Sequence, residues 1–253
     1  PPGNSAPPRV VVSNMNKDAQ PSTELLSSIP EGHVEFGPHT FGDVTLDAEG
    51  RRLSHPEVLR DVVAEGVLAD QAGVDVIGIG EHHRPDYAVS NPEMVLAAIG
   101  ARTERIKLIS AVTVLSSDDP VRLYQRFATV DALSSGRAEV VLGRGSFTES
   151  FPLFGFDLQD YERLFEEKLE LFSRLQSEGP ITWEGGLRPA IDGLEVHPKT
   201  ESGRLPAWIA VGGSPQSVVR AAHYEMPVIF AIIGGVIVAA VWQAITRRTG
   251  TRA

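Results

Sequence analysis

The sequence has no cysteine among its 253 residues. That excludes a disulfide framework, thiolate metal sites and a cysteine nucleophile, and leaves any chemistry to other side chains. Dense basic runs are missing too, and the formal net charge of −10 argues against a nucleic-acid partner, whose phosphates need clustered Lys and Arg. No GxGxxG fingerprint or GxxxxGK[ST] loop accompanies the glycine-rich stretches, so the usual dinucleotide and P-loop readings lose support. Residues 1–32, rich in Pro, Ser and Asn, show neither the basic start nor the long apolar run of a secretory signal. They are expected to form a flexible extension.

What is present suits a sizeable core: 42% of residues are hydrophobic and 22% charged. From His33 onward, short apolar runs alternate with segments of helical periodicity, as in repeated βα units around a parallel sheet. The expected strands are HVEFGPHTF, VDVIGIG, IKLISAVTVL, AEVVLGRG, PAWIAVGG and PVIFAIIGG. Several are apolar at nearly every position, which suits strands covered on both faces. Between them run apolar stripes such as Val58, Leu59, Val62, Val63 and Val67, or Tyr161, Leu164, Phe165, Leu169, Phe172 and Leu175, each fitting a helix buried on one side.

Helix starts are marked by a polar cap followed by proline at Asn91-Pro92, Asp119-Pro120 and Ser214-Pro215, and Gly136 is placed to end a helix before a strand. The stretch GPITWEGGLRPAIDGLEVHP breaks the rhythm and reads as a hairpin or excursion. A (β/α) barrel and an open doubly wound sheet both fit, and both gather active sites at the carboxyl ends of their strands.

Three strand ends carry chemistry. VDVIGIG runs directly into Glu81, His82, His83 and Arg84. Neighbours on an extended strand point to opposite faces, so the two imidazoles do not converge on one ion, and the other strand ends offer mainly His39. A metal is therefore not expected, and acid–base work by one imidazole is favoured over a purely structural polar cluster. In VLGRGSFTES, Arg144 follows a buried strand between two glycines, suited to a phosphate or carboxylate, or else to a salt bridge with Glu149 or Glu81. AVGGSPQS sets two glycines and a serine before a helix, where free N–H groups favour an anion. The third-strand end, ISAVTVLSS, offers a small-residue surface for a flat ring, or simply core packing.

Taken in this order, GEHHRPDY, AVTVLSSDDPVR, GRAEVVLGRGSFTESFPLFG and LPAWIAVGGSPQSVVRAA resemble the bacterial luciferase-like monooxygenases, flavin-dependent oxidoreductases on a TIM barrel. The likeness spans about His33 to Gly235. It implies an α/β fold of (β/α)8 TIM-barrel type and oxidation of a small organic substrate with molecular oxygen and FMN, the cofactor arriving reduced from a separate flavin reductase in the cytoplasm. A deazaflavin (F420) dependent oxidoreductase and a catalytically silent flavin-binding protein are the alternatives. By the same resemblance, His82 and Glu81 are the catalytic residues, His82 being the acid–base group near the reactive flavin edge. Arg144 holds the phosphate with help from Ser146, Gly212, Gly213 and Ser214. A non-prolyl cis peptide is expected behind the isoalloxazine near Ala111 and Val112.

Family barrels have eight strands, whereas six are legible before Gly235, and residues 236–253, VIVAAVWQAITRRTGTRA, depart from the family's usual continuation. About six βα units are expected, with sheet edges that invite a homo-oligomer. The apolar run from Val228 to Trp242, followed by TRRTGTR, is shorter than the ~20 residues of a typical membrane span, and its first part already serves as the sixth strand. A membrane partner is disfavoured.

Overall fold

Strands β1 (His39–Thr40), β2 (Val76–Ile79), β3 (Lys107–Ser110), β4 (Thr113–Val114), β5 (Ala138–Gly143), β8 (Ala207–Val211) and β9 (Val228–Phe230) form one seven-stranded sheet in the computed structural model of the chain. Residues 35–177, 179–201, 203–212 and 215–230 are described. The expected extension over residues 1–32, the segment 236–253, Gly213 and Ser214 lie outside them.

Every pairing in this sheet is parallel, and the order β1-β2-β3-β5-β8-β9 follows the chain without reversal, β4 also lying against β5. A doubly wound sheet needs a point where the order turns back, whereas a (β/α) barrel adds each strand beside the last. The described residues therefore form a partial (β/α) barrel. The expected third strand is two pieces, β3 and β4, separated at Ala111 and Val112.

Apolar composition dictates where the sheet is covered. Ala138, Val140, Val141 and Leu142 of β5 are all fully buried, as residues with both faces against other layers must be. Helices α1 (His55–Gln71), α2 (Pro92–Gly100), α3 (Pro120–Leu133) and, after a short α4 (Ser150–Phe154), α5 (Tyr161–Leu175) pack successively against one another around the sheet. Leu164, Phe165, Leu169, Phe172 and Leu175 of α5 turn inward as their spacing requires. At roughly 1.5–3 kcal/mol per fully buried large apolar side chain, this stripe supplies much of what holds α5 in place.

The punctuation residues act largely as expected. Asp119 Oδ1 accepts the N–H groups of Val121 and Arg122 at 3.0 and 3.1 Å and caps α3. Gly136, at φ +79°, reverses the chain after α3 while its N–H reaches Asp131 O at 2.9 Å. Asn91 differs: α2 does begin at Pro92, but the Asn91 side chain donates to Ser90 Oγ at 3.1 Å and caps nothing. The interrupting stretch is an antiparallel hairpin of β6 (Ile181–Trp183) and β7 (Ile191–Leu194). Helix α6 (Pro215–His223) links β8 to β9. Among the described residues no helix is long and apolar enough to cross a membrane.

Candidate active site

Because all seven strands run the same way, their carboxyl ends deliver side chains to one rim. At this rim β2 ends in Gly80, Glu81, His82 and His83. The pairing continues one step past the strands, with Gly80 N–H on Thr40 O at 2.9 Å and Ala111 N–H on Ile79 O at 2.8 Å. A Cβ at position 80 would lie 2.3 Å from the Phe41 ring and 2.8 Å from Ala111 O, so only glycine lets Phe41 cross the end of β2.

Phe41 is one wall of a box around His82. The imidazole stacks on Tyr87 at 4.5 Å, lies 4.5 Å from Phe41 and meets the edge of Phe147 at 4.7 Å. Its exposure is only 8%. Its Nδ1 is 3.1 Å from Glu149 Oε1, on the segment that β5 sends back over the rim. The same oxygen lies 3.4 Å from the His83 backbone N–H. Burial pushes the Glu149 carboxyl up, but hydrogen bonds from its own N–H, the His82 ring and the His83 N–H outweigh it and hold the group below its ordinary range. An ionised Glu149 only accepts, so it selects the His82 tautomer with hydrogen on Nδ1 and a lone pair on Nε2.

His83 turns the other way. Its Nε2 donates to Glu81 Oε1 at 2.8 Å and its ring meets Phe154 edge-on at 5.0 Å. The second oxygen of Glu81 accepts the Val114 N–H at 2.9 Å, tying the end of β2 to β4. Both Glu81 oxygens are thus engaged, one by an imidazole and one by backbone. Between β3 and β4, the Ala111–Val112 peptide is cis, at the position expected from sequence, and His39 Nε2 donates to Ala111 O at 2.6 Å.

Arg126 of α3, its side chain partly exposed, pairs with both the buried Glu93 of α2 and the half-buried Asp118. Burial pushes both carboxyls up, against the pull of Arg126. Lys168, only 5% exposed on α5, donates to Ser116 O at 2.6 Å and lies 3.9 Å from the centre of the Phe156 ring. Burial draws its amine down to about 8, although Asp118 and Asp119 pull the other way.

One strand further along, Arg144 leaves β5 partly exposed, with Ser146 exposed beyond it, and Gly212 follows β8 in an open position. Arg144 Nη1 bonds Glu162 Oε1 at 2.5 Å; Glu149 and Glu81, the partners considered from sequence, pair instead with the two histidines. The structure therefore gathers Glu81, His82, Ala111 and Val112 at β2 to β4, and Arg144, Ser146 and Gly212 at β5 and β8. From β2 through β3 and β5 to β8 is three strand spacings, about 14 Å.

Sequence alone does not mark Glu149, Phe41, Tyr87 and Phe147 as the surroundings of His82. The glutamate was visible in the GRGSFTES stretch, but its pairing across 67 positions exists only in the fold.

The sequence profile of the luciferase-like monooxygenases matches residues 40–248. The chain belongs to the luciferase-like monooxygenase family. The match runs past Gly235, where the resemblance read from motifs stops. Among luciferase-like relatives, the alkanal monooxygenase alpha chain of Photorhabdus laumondii is 26% identical over 195 residues, covering 76% of this chain and 54% of its own length. This luciferase-like chain thus spans about half the length of the curated relatives it matches. Monooxygenase RslO1 of Streptomyces bottropensis superposes with a TM-score of 0.70 at 25% identity, over 77% of this chain and 59% of that one. Two more distant structures share the fold. The oxygenating constituent of 3,6-diketocamphane monooxygenase from Pseudomonas putida, in complex with FMN, has TM-score 0.67 and 18% identity over 87% of this chain and 64% of its own. An F420-dependent secondary alcohol dehydrogenase with an F420-acetone adduct has TM-score 0.60 and 17% identity, over 77% and 62%.

Proposed function

We propose that this chain is the flavin-binding part of a monooxygenase that uses FMN, reduced by a separate cytoplasmic reductase, and molecular oxygen to oxidise a small organic substrate. The observation that carries the proposal is His82, an imidazole enclosed by three aromatic rings with one nitrogen fixed by Glu149, at the same rim as Arg144. The residues suit the cofactor: small, part-buried side chains at the cis Ala111–Val112 peptide, a guanidinium at Arg144, and the open backbone at Gly212. Ser146, Gly213 and Ser214 are proposed as further phosphate donors. When bound, the reduced flavin supplies the electrons that activate oxygen.

The protein's own part is placement and proton handling. Arg144 takes the phosphate by charge-assisted hydrogen bonds, and the rim around Ala111 and Val112 supports the ring. His82 takes up or returns a proton through Nε2, with Glu149 stabilising the imidazolium while the reaction proceeds. Phe41, Tyr87 and Phe147 keep water from the imidazole. Glu81 is a positioning residue, because its carboxylate spans His83 and the Val114 backbone.

Deazaflavin is the second reading, favoured by the F420-dependent neighbour on the same fold. Equilibrium binding of FMN and F420, each oxidised and reduced, separates the two. Tighter binding of reduced FMN supports the monooxygenase, selective binding of F420 supports the second reading, and failure to bind either contradicts both.

A further inference from the structure

Arg144 is not alone at its end of the rim. Its Nη1 contacts Glu162 Oε1 at 2.5 Å, while Glu162 Oε2 lies 3.4 Å from Nη2 of Arg220, a residue of α6. One carboxylate thus sits between two guanidinium groups from different elements. Arg220 is fixed independently: its Nε meets Glu166 Oε1 at 2.5 Å, its Cζ lies 5.2 Å from the Phe165 ring centre, and its side chain is 8% exposed. Its Nη1 is buried without a hydrogen-bond partner. Glu162, by contrast, is 59% exposed, so it can swing into water without opening the core.

We infer that Glu162, held between Arg144 and Arg220, is a displaceable stand-in for the cofactor phosphate. This rests on the reading of Arg144 as the phosphate ligand. A carboxylate and a phosphate present similar oxygen acceptors to a guanidinium, but the phosphate carries more charge and a third oxygen. An incoming phosphate takes Arg144 from Glu162, and Glu162 turns outward. Arg220 keeps Glu166 throughout, so the displacement leaves no buried cation unpaired. The carboxylate then lowers affinity for every phosphorylated ligand and leaves phosphate-free analogues unaffected.

The test compares FMN with riboflavin, which lacks the phosphate, by fluorescence titration of the chain and its Glu162→Gln, Glu162→Ala and Arg144→Ala variants, with thermal unfolding to confirm folding. If F420 is the tighter ligand, F420 and its phosphate-free deazaflavin core replace that pair. Exposed ion pairs of this kind are modest, so removing Glu162 is expected to tighten the phosphorylated ligand by roughly two- to fivefold and leave the phosphate-free one unchanged. Unchanged or weakened phosphate binding in both Glu162 variants, with Arg144→Ala still selectively impaired, overturns the stand-in role alone. Glu162 is then a support for Arg144. Equal loss of both ligands in Arg144→Ala overturns the phosphate assignment and this inference with it.

Discussion

The imidazole of His82 and the carboxylate of Glu149 meet at 3.1 Å, although the residues lie 67 positions apart in the chain. The pair fixes which imidazole nitrogen carries the hydrogen and which keeps a lone pair. Glu149→Gln offers an amide in place of an ionised acceptor and removes the charge opposite the imidazolium. Turnover should fall by about 10- to 100-fold with flavin affinity within a few fold of wild type. Steady-state kinetics with a flavin titration checks the split between kcat and binding.

His82→Asn should lower turnover by roughly 10²-fold or more, the usual scale for a positioned acid–base group. His83 is the internal control, since its ring is committed to Glu81 on the other side of the segment. A larger loss of kcat in His83→Asn than in His82→Asn reverses the assignment.

Gly80→Ala should destabilise the fold, because the added Cβ meets both a ring and a carbonyl oxygen. Overpacking of this kind costs about 1–3 kcal/mol. Urea unfolding measures it, and a loss below roughly 0.5 kcal/mol would mean that Phe41 is free to move aside.

Lys168 gives a pH signature. Its amine is drawn by burial from 10.5 to about 8 in the folded chain. Between those values the unfolded chain holds a proton that the folded chain has released, so this group makes stability rise with pH across that window. Lys168→Met removes the titration. The stability of wild type relative to the variant should therefore climb by up to about 3 kcal/mol from pH 8 to pH 10.5, read by denaturant unfolding at each pH. A difference that stays flat would place the amine in water.

Much of the barrel is legible in the sequence because its signals are local. Runs such as AEVVLG declare strands buried on both faces, and Asp119-Pro120 and Gly136 mark the ends of α3. The chemistry at the strand ends is legible for the same reason, since Glu81, His82 and Arg144 directly follow apolar strands. What stays hidden is pairing at a distance. Nothing near Arg144 points to Glu162 rather than Glu149, because that choice depends on where α4 and the turn before α5 carry the chain. Lys168 is hidden differently: its place in a charged stretch of an amphipathic helix suggests a solvated amine, and only the turn at Ser116 draws it inside.

On the proposed function, the rim from β2 to β8 holds a flavin with its phosphate at Arg144. The most direct measurement is the dissociation constant of FMN and of riboflavin for wild type and Arg144→Ala. A charge-assisted contact worth about 1.5–3 kcal/mol predicts that FMN binding weakens by one to two orders of magnitude while riboflavin binding changes little. Equal weakening of both ligands, or no weakening of either, would contradict it.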